Sequence, residues 1–241
     1  MMLYFPCYAG VEFDDSDDGL VAGDSASFGT IYTSQALTIS AWVYVHTGWG
    51  SDSYPKVIEQ GDYDGGGGWQ MFLNGSNGYI SLGVDVTNFI STTSVPVEGW
   101  HHIVVTWDHD DLVGKVYLDY TTTETAEINS DVKAIDTDVY IGNRKIFQRC
   151  FDGVIADVAV WSERLTDAEV ALLYYSRLKY MPLQIQPANL VCYYPLDDQA
   201  DGTASDALTF LDRSGNGNTM TADANAGDGC TARAEEYLSY P

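Results

Sequence analysis

Leu37-Thr38-Ile39-Ser40-Ala41-Trp42-Val43-Tyr44-Val45 is apolar at every odd position and sets Thr38, Ser40 and Tyr44 on the other face. Successive side chains of a strand point to opposite faces, so a period of two reads as a half-buried β-strand. Shorter runs of the same character surround it: Lys56 to Gln60, Trp69 to Leu73, Tyr79 to Val84 and Trp100 to Trp107. Lys115 to Leu118, Val139 to Ile141 and Val154 to Trp161 continue the series. Links such as Asp64-Gly65-Gly66-Gly67-Gly68 and Asn74-Gly75-Ser76-Asn77-Gly78 supply turn residues between them. Many short strands at this spacing predict a two-sheet sandwich or a barrel. One helix is predicted, Leu165 to Tyr175, opened by Thr166 with Glu169 three residues on, a capping box. Its stripe of Leu165, Val170, Leu173 and Tyr174 is expected to pack against the end of the sandwich.

The chain of 241 residues suits one large domain, and its 45% hydrophobic content is ordinary for a globular protein. The charge is not ordinary: eleven Lys and Arg against 35 Asp and Glu give a net −24. Such an excess argues against nucleic acid, whose phosphates call for clustered cations. It reads as a solvated acidic surface or, on a sharper reading, as acids gathered in part into divalent-cation sites. No stretch approaches the roughly 18 to 20 apolar residues of a spanning helix, so no membrane insertion is expected. The opening MMLYFPCYAGVEFDDSDDG carries acids where a secretory leader would be basic and then apolar. Cys7, Cys150, Cys192 and Cys230 form no close pair, which favours free buried thiols over zinc or a dithiol motif.

Past Arg177 the texture changes. Pro182 and Pro187 bracket a linker, Asn189 to Leu196 reads as another strand, and an acidic tail rich in Gly and Ala follows. The ordered blocks ALTISAWVYV, EGWHHIVVTW (98–107), KVYLD (115–119), VYIG (139–142) and FDGVIADVAVW (151–161) resemble a known family. They are similar to the concanavalin A-like lectin/glucanase jelly roll in its laminin G-like branch, over residues 11 to 176. The resemblance implies an all-β, two-sheet antiparallel jelly-roll sandwich with one short helix. It also implies a calcium ion near the rim, and carbohydrate or protein binding far more often than catalysis. Residues 1–180 would be the jelly roll, and 181–241 a linker, strand and acidic loop that complete it. Family members usually place such a strand and loop first, so the order here implies circular permutation or strand donation to a neighbour. A looser resemblance to laminin G-like phage virion proteins suggests a virion or extracellular location and a homo-oligomer or larger assembly.

Three kinds of chemistry have candidates. Asp212, Ser214, Asn216, Gly217 and Asp223 fall at the spacing of an EF-hand-like calcium loop, and the resemblance brings Asp157 beside Asp212 and Asn216. The same residues are favoured in plain turns. Asp14, Ser16, Asp18 and Gly19 repeat the spacing, but Ser25 stands where a bidentate acid belongs. For catalysis, glucanases of this fold carry Glu-x-Asp-x-x-Glu; Glu12-Phe13-Asp14-Asp15-Ser16-Asp17 comes nearest and ends in Asp, and Glu59-Gln60-Gly61-Asp62 fits worse. His101 and His102 read as ordinary strand residues. For sugar, Trp49, Tyr54, Tyr63 and Trp69 lie in or beside Gly-rich loops, whereas Trp42, Trp107 and Trp161 sit on regular strands and read as core. The expectation is a non-enzymatic structural or binding module, a virion surface or decoration protein that recognises a glycan or host surface. The alternative is a secreted carbohydrate-binding module or a glucanase-like glycoside hydrolase.

Overall fold

The alternating stretch forms strand β3 (Ala36–Val45). The computed structural model describes residues 9–13, 18–47, 53–61, 66–85, 87–145, 149–176, 181–200, 202–203, 208–222 and 231–233. Before β3 come β1 (Gly10–Phe13), β2 (Leu20–Ala22) and a short helix, α1 (Gly29–Ser34). After it run β4 (Lys56–Gly61), β5 (Gly68–Leu73), β6 (Tyr79–Val84), β7 (Thr87–Ser94) and β8 (Trp100–Asp108). Next are β9 (Val113–Leu118), β10 (Thr121–Glu127), β11 (Val139–Ile141), β12 (Gly153–Trp161) and helix α2 (Asp167–Ser176). The chain closes with a 3₁₀ turn (Met181–Gln184), β13 (Leu190–Tyr194), β14 (Thr209–Phe210), β15 (Met220–Ala222) and β16 (Thr231–Arg233).

Two antiparallel sheets result. The first has the order β10-β9-β8-β3-β12-β1-β16, with β13 also on β12; the second has the order β14-β15-β2-β11-β4-β5-β6-β7. This is one of the two architectures the strand pattern implied, a two-sheet sandwich, in the jelly-roll form the family resemblance implied. Inward side chains of both sheets, among them Val43, Val105 and Trp107 facing Trp69, Leu82 and Ile141, merge into one core. Each such side chain contributes about 1.5–3 kcal/mol once fully removed from water.

The C-terminal strands belong to that core. Val191, Cys192, Tyr194, Leu208, Phe210 and Met220 join the same apolar cluster as Val11 and Leu20. β1 opposes Gly153–Ile155 of β12, and β13 opposes Val158–Trp161. The two thus lie end to end along one edge of β12, in the same chain. Between them Asp157 adopts a left-handed conformation (φ 51°), where the pairing of β12 with β3 shifts register. Such a bulge re-aims the strand, and Tyr193 stabilises it by donating its hydroxyl to Asp157 Oδ1 at 2.6 Å.

Helix α2 begins as predicted: Glu169 N–H donates to Thr166 Oγ1 (3.3 Å), and Thr166 N–H donates back to Glu169 Oε2 (2.8 Å). Its position differs from the expectation. Val170 and Leu173 pack with Val104, Tyr117, Ala159, Trp161 and Tyr193, so α2 covers the outer face of the first sheet rather than the sandwich end. The cause lies in β3, β8 and β12, which bear large side chains on both faces; the outer ones need a cover. Trp107 and Trp161 are fully buried, but Trp42 sits on this outer face, stacked on Tyr174 at 5.6 Å, and not between the sheets.

Candidate functional site

Glycine 142 starts the loop that frames the second sheet. At φ +81° its hydrogen faces the Phe13 ring; a Cβ there would come within 2.1 Å of Phe13 Cε1. Asn143 follows, fully buried. Its amide donates to Asp18 O (2.8 Å) while its Oδ1 accepts from Arg144 N–H (2.9 Å) and Arg149 N–H (3.1 Å). One side chain therefore fixes both ends of a loop bearing two arginines. The loop is tied to the sheet by Lys56 N–H donating to Arg149 O at 2.9 Å.

The outer face of that sheet is chemically dense. Lys56 and Glu59 both point outward, with Nζ 3.2 Å from Oε2, although three residues apart in a strand. A register shift between Lys56 and Ile58 turns Val57 and Ile58 both inward and makes this possible. Lys56 Nζ also donates to Gln70 Oε1 and lies 4.6 Å from the Phe72 ring centre. Tyr54 meets Phe72 edge-on at 5.8 Å, and the Arg149 guanidinium lies 5.1 Å over Tyr54. Lys56, Glu59, Phe72 and Arg144 are all less than a tenth exposed, while Tyr54, Gln70 and Arg149 are half-buried. Burial pushes the Lys56 amine down and the Glu59 carboxyl up, and their mutual attraction opposes both shifts. Arg144 and Arg149 further favour the Glu59 anion.

This face offers the half-buried Tyr54 ring, Gln70 amide and Arg149 guanidinium, supported from beneath by the buried Lys56, Glu59, Phe72 and Arg144. Such a set can meet hydroxyls and an apolar ring face together. Hydrolysis of a glycosidic bond uses two flanking carboxyl groups, whereas Glu59 faces Lys56. Tyr54 is the sugar candidate of the sequence that the structure brings here. Trp69 is not: it is 1% exposed, points inward on β5 and contacts Phe28 with centroids 6.3 Å apart, so no ligand can stack on it. Its Gly-rich flank suggested a loop, but Gly68 already pairs with Gly61 in the sheet. Trp49 and Tyr63 lie outside the described residues, as do Asp14, Ser16 and Asp223. Lys56 and Gln70 went unnoticed in the sequence, and Glu59 was weighed only as a poor glucanase match, because strict alternation puts positions 56 and 59 on opposite faces.

The proposed calcium residues form a hydrogen-bonded turn. Asp212 Oδ1 accepts from Tyr193 N–H (3.0 Å) and Ser214 N–H (2.9 Å), and Oδ2 accepts from Ser214 Oγ (2.9 Å) and Asn218 N–H (3.1 Å). Asn216 directs its Nδ2 to Leu190 O and Val191 O, and Asp157 accepts from the far end of Tyr193. With donors on both Asp212 oxygens, these residues as arranged do not fit a cation. Among the described residues, no group of three or more His, Cys, Asp or Glu could hold a metal. Cys150 and Cys192 are buried free thiols. No helix among the described residues is long and apolar enough to cross a membrane.

Two packed antiparallel sheets, with a polar and aromatic cluster on one outer face, define a jelly-roll sandwich of the lectin-like type. The chain belongs to the concanavalin A-like lectin/glucanases superfamily, whose laminin G model matches residues 14–171. No curated protein matches it in sequence. Among solved structures it is similar to a candidate carbohydrate-binding protein from Bacteroides ovatus ATCC 8483. That match has 17% identity and TM-score 0.67, over 98% of this chain and 61% of the other. The chain therefore spans about three fifths of that relative's length. It is also similar to the Ruminococcus gnavus IT-sialidase CBM40, solved bound to α2,3 sialyllactose (14% identity, TM-score 0.51, 70% of this chain and 95% of the other). A third is the receptor-binding domain of botulinum neurotoxin C/D mosaic serotype (15% identity, TM-score 0.52, 70% and 46%). At these identities the likeness is one of fold.

Proposed function

We propose that the protein is a non-enzymatic carbohydrate-binding module whose site is the outer face of the second sheet, around Tyr54, Lys56, Glu59, Gln70, Phe72 and Arg149. The observation that carries this reading is the Lys56–Glu59 pair, held nearly dry on a sheet face against which, among the described residues, no helix packs. A buried ion pair costs about as much in desolvation as it returns, so stability alone does not account for it. A prearranged polar cluster beside aromatic rings is what recognition of a polyol uses. The carbohydrate-binding relatives support the same reading.

The test is a glycan array followed by calorimetry. Wild-type protein should bind at least one oligosaccharide, and Tyr54→Ala should weaken it at temperatures where the variant remains folded. Incubation with β-glucans should release no reducing ends; release of sugar would favour the glycoside hydrolase alternative. Decoration of a virion or other extracellular surface, as a homo-oligomer or in an assembly, is proposed as the setting of this module. Copies in regular array on particles would support that setting, and a protein found only free and monomeric would remove it.

A further inference from the structure

The chain as a whole is strongly acidic, yet cations gather at this face. Four of its eleven cations, Lys56, Arg144, Lys145 and Arg149, lie on β4 and the loop above it. The charges that act on Lys56 are Glu59, Arg144 and Arg149: one acid and two further cations. Glu59 balances Lys56 directly. Arg149 is placed differently, because its guanidinium rests on the Tyr54 ring. A guanidinium over a ring uses only part of its donor set there, and its other N–H groups form the fork that matches a carboxylate or a sulfate. An anion arriving at this edge has the half-buried Tyr54 ring beside it, where a sugar ring can lie, while Phe72 beneath supports Tyr54.

We propose that the ligand of this face is an anionic glycan, a chain bearing carboxylate or sulfate groups, with the anion on Arg149 and an adjoining ring on Tyr54. The inference rests on the glycan-binding reading above and narrows it. The net charge of −24 does not defeat it. At physiological ionic strength the Debye length is about 8 Å, so distant acids are screened while a contact ion pair persists. The same repulsion steers a polyanion away from the rest of the surface and toward the cationic loop.

The experiment compares glycans that differ only in charge, by calorimetry on the full chain at physiological salt. One pair is oligogalacturonate against its neutral methyl ester, and the other is a sulfated galactan against its unsulfated parent. The charged member of at least one pair should bind at least about tenfold more tightly, the scale of one charge-assisted contact. The pair that discriminates identifies carboxylate or sulfate as the anion. Arg149→Gln should abolish that preference without moving the melting temperature, since the backbone bonds of Arg149 do not involve its side chain. Equal binding of both members, still weakened by Tyr54→Ala, would overturn the anionic ligand and leave the glycan site standing. A preference that survives Arg149→Gln would overturn the role of Arg149. Failure to bind any glycan, charged or neutral, would overturn both readings.

Discussion

His102 sits beneath α2 between Trp42 (5.1 Å) and Tyr174 (6.1 Å), its Nε2 2.8 Å from Ser40 Oγ. Complete burial pushes its pKa down to about 4 from an ordinary 6.5, against the opposing pull of the Asp119 carboxylate. The native ring is therefore neutral where the unfolded chain takes up a proton. Stability from this site is fully present above about pH 6.5 and drains away as pH falls toward 4, by on the order of 3 kcal/mol. Urea unfolding across that window should show the decline, and His102→Gln should flatten it; an equally steep profile in the variant would assign the loss to other groups. Asp212 makes a second prediction at this scale. Its carboxylate satisfies Tyr193 N–H, Ser214 N–H, Ser214 Oγ and Asn218 N–H, so Asp212→Ala leaves several donors unpaired. A loss of about 2–3 kcal/mol should follow. Chelator should leave the wild-type melting temperature unchanged. A fall of several degrees, absent in Asp212→Ala, would instead return calcium to this loop.

Among the elements, those that bury one regular face were readable and those that break the period were not. β3 and β8 follow alternation, β12 does so on either side of its bulge at Asp157, and α2 follows its capping box, so their existence could be read from residue type. β7 and β10 are rich in Thr and Ser, and β10 exposes much of its length, so no apolar rhythm marks them. α1 buries only Ile31 and ends at Gln35, whose left-handed φ of 54° is a tertiary result rather than a residue preference. The site shared this fate. Tyr54 was visible as a loop aromatic, but the cluster below it depends on the irregularity in β4 that sets Lys56 and Glu59 on one face, which a period of two forbids. The loop over that cluster hinges on Gly142, and Gly142→Ala tests the dependence. A methyl group there overlaps Phe13 and occupies a positive φ, so the cost should reach about 3 kcal/mol from overpacking and strain together. Denaturant unfolding would measure it. Glycan binding should fall as well, since displacement of the loop moves Arg149; full stability and affinity in the variant would show that the loop is positioned otherwise.

At the level of the whole molecule, what matters is that a stretch late in the chain fills the middle of the fold. β13 occupies the edge of β12 that β1 leaves open, and β15 with β14 extends the second sheet beyond β2. Val191, Leu196, Leu208, Phe210 and Met220 are each at most 2% exposed. Five such side chains, at about 1.5–3 kcal/mol apiece, supply roughly 7–15 kcal/mol. That equals the entire net stability of an ordinary domain, about 5–15 kcal/mol. The family match ends at residue 171, yet a chain cut after Ser176 should not fold alone. It would bare the unpaired half of β12 and the edge of β2, both aggregation-prone surfaces. Circular dichroism on residues 1–176 should show no cooperative melting transition. Co-expression with residues 181–241 as a separate chain should restore one, because the missing strands pair with β12 and β2 and complete the core as the two pieces fold together. A truncated chain that melts cooperatively by itself would mean that the first 176 residues already close their own core, and that the C-terminal strands only decorate it.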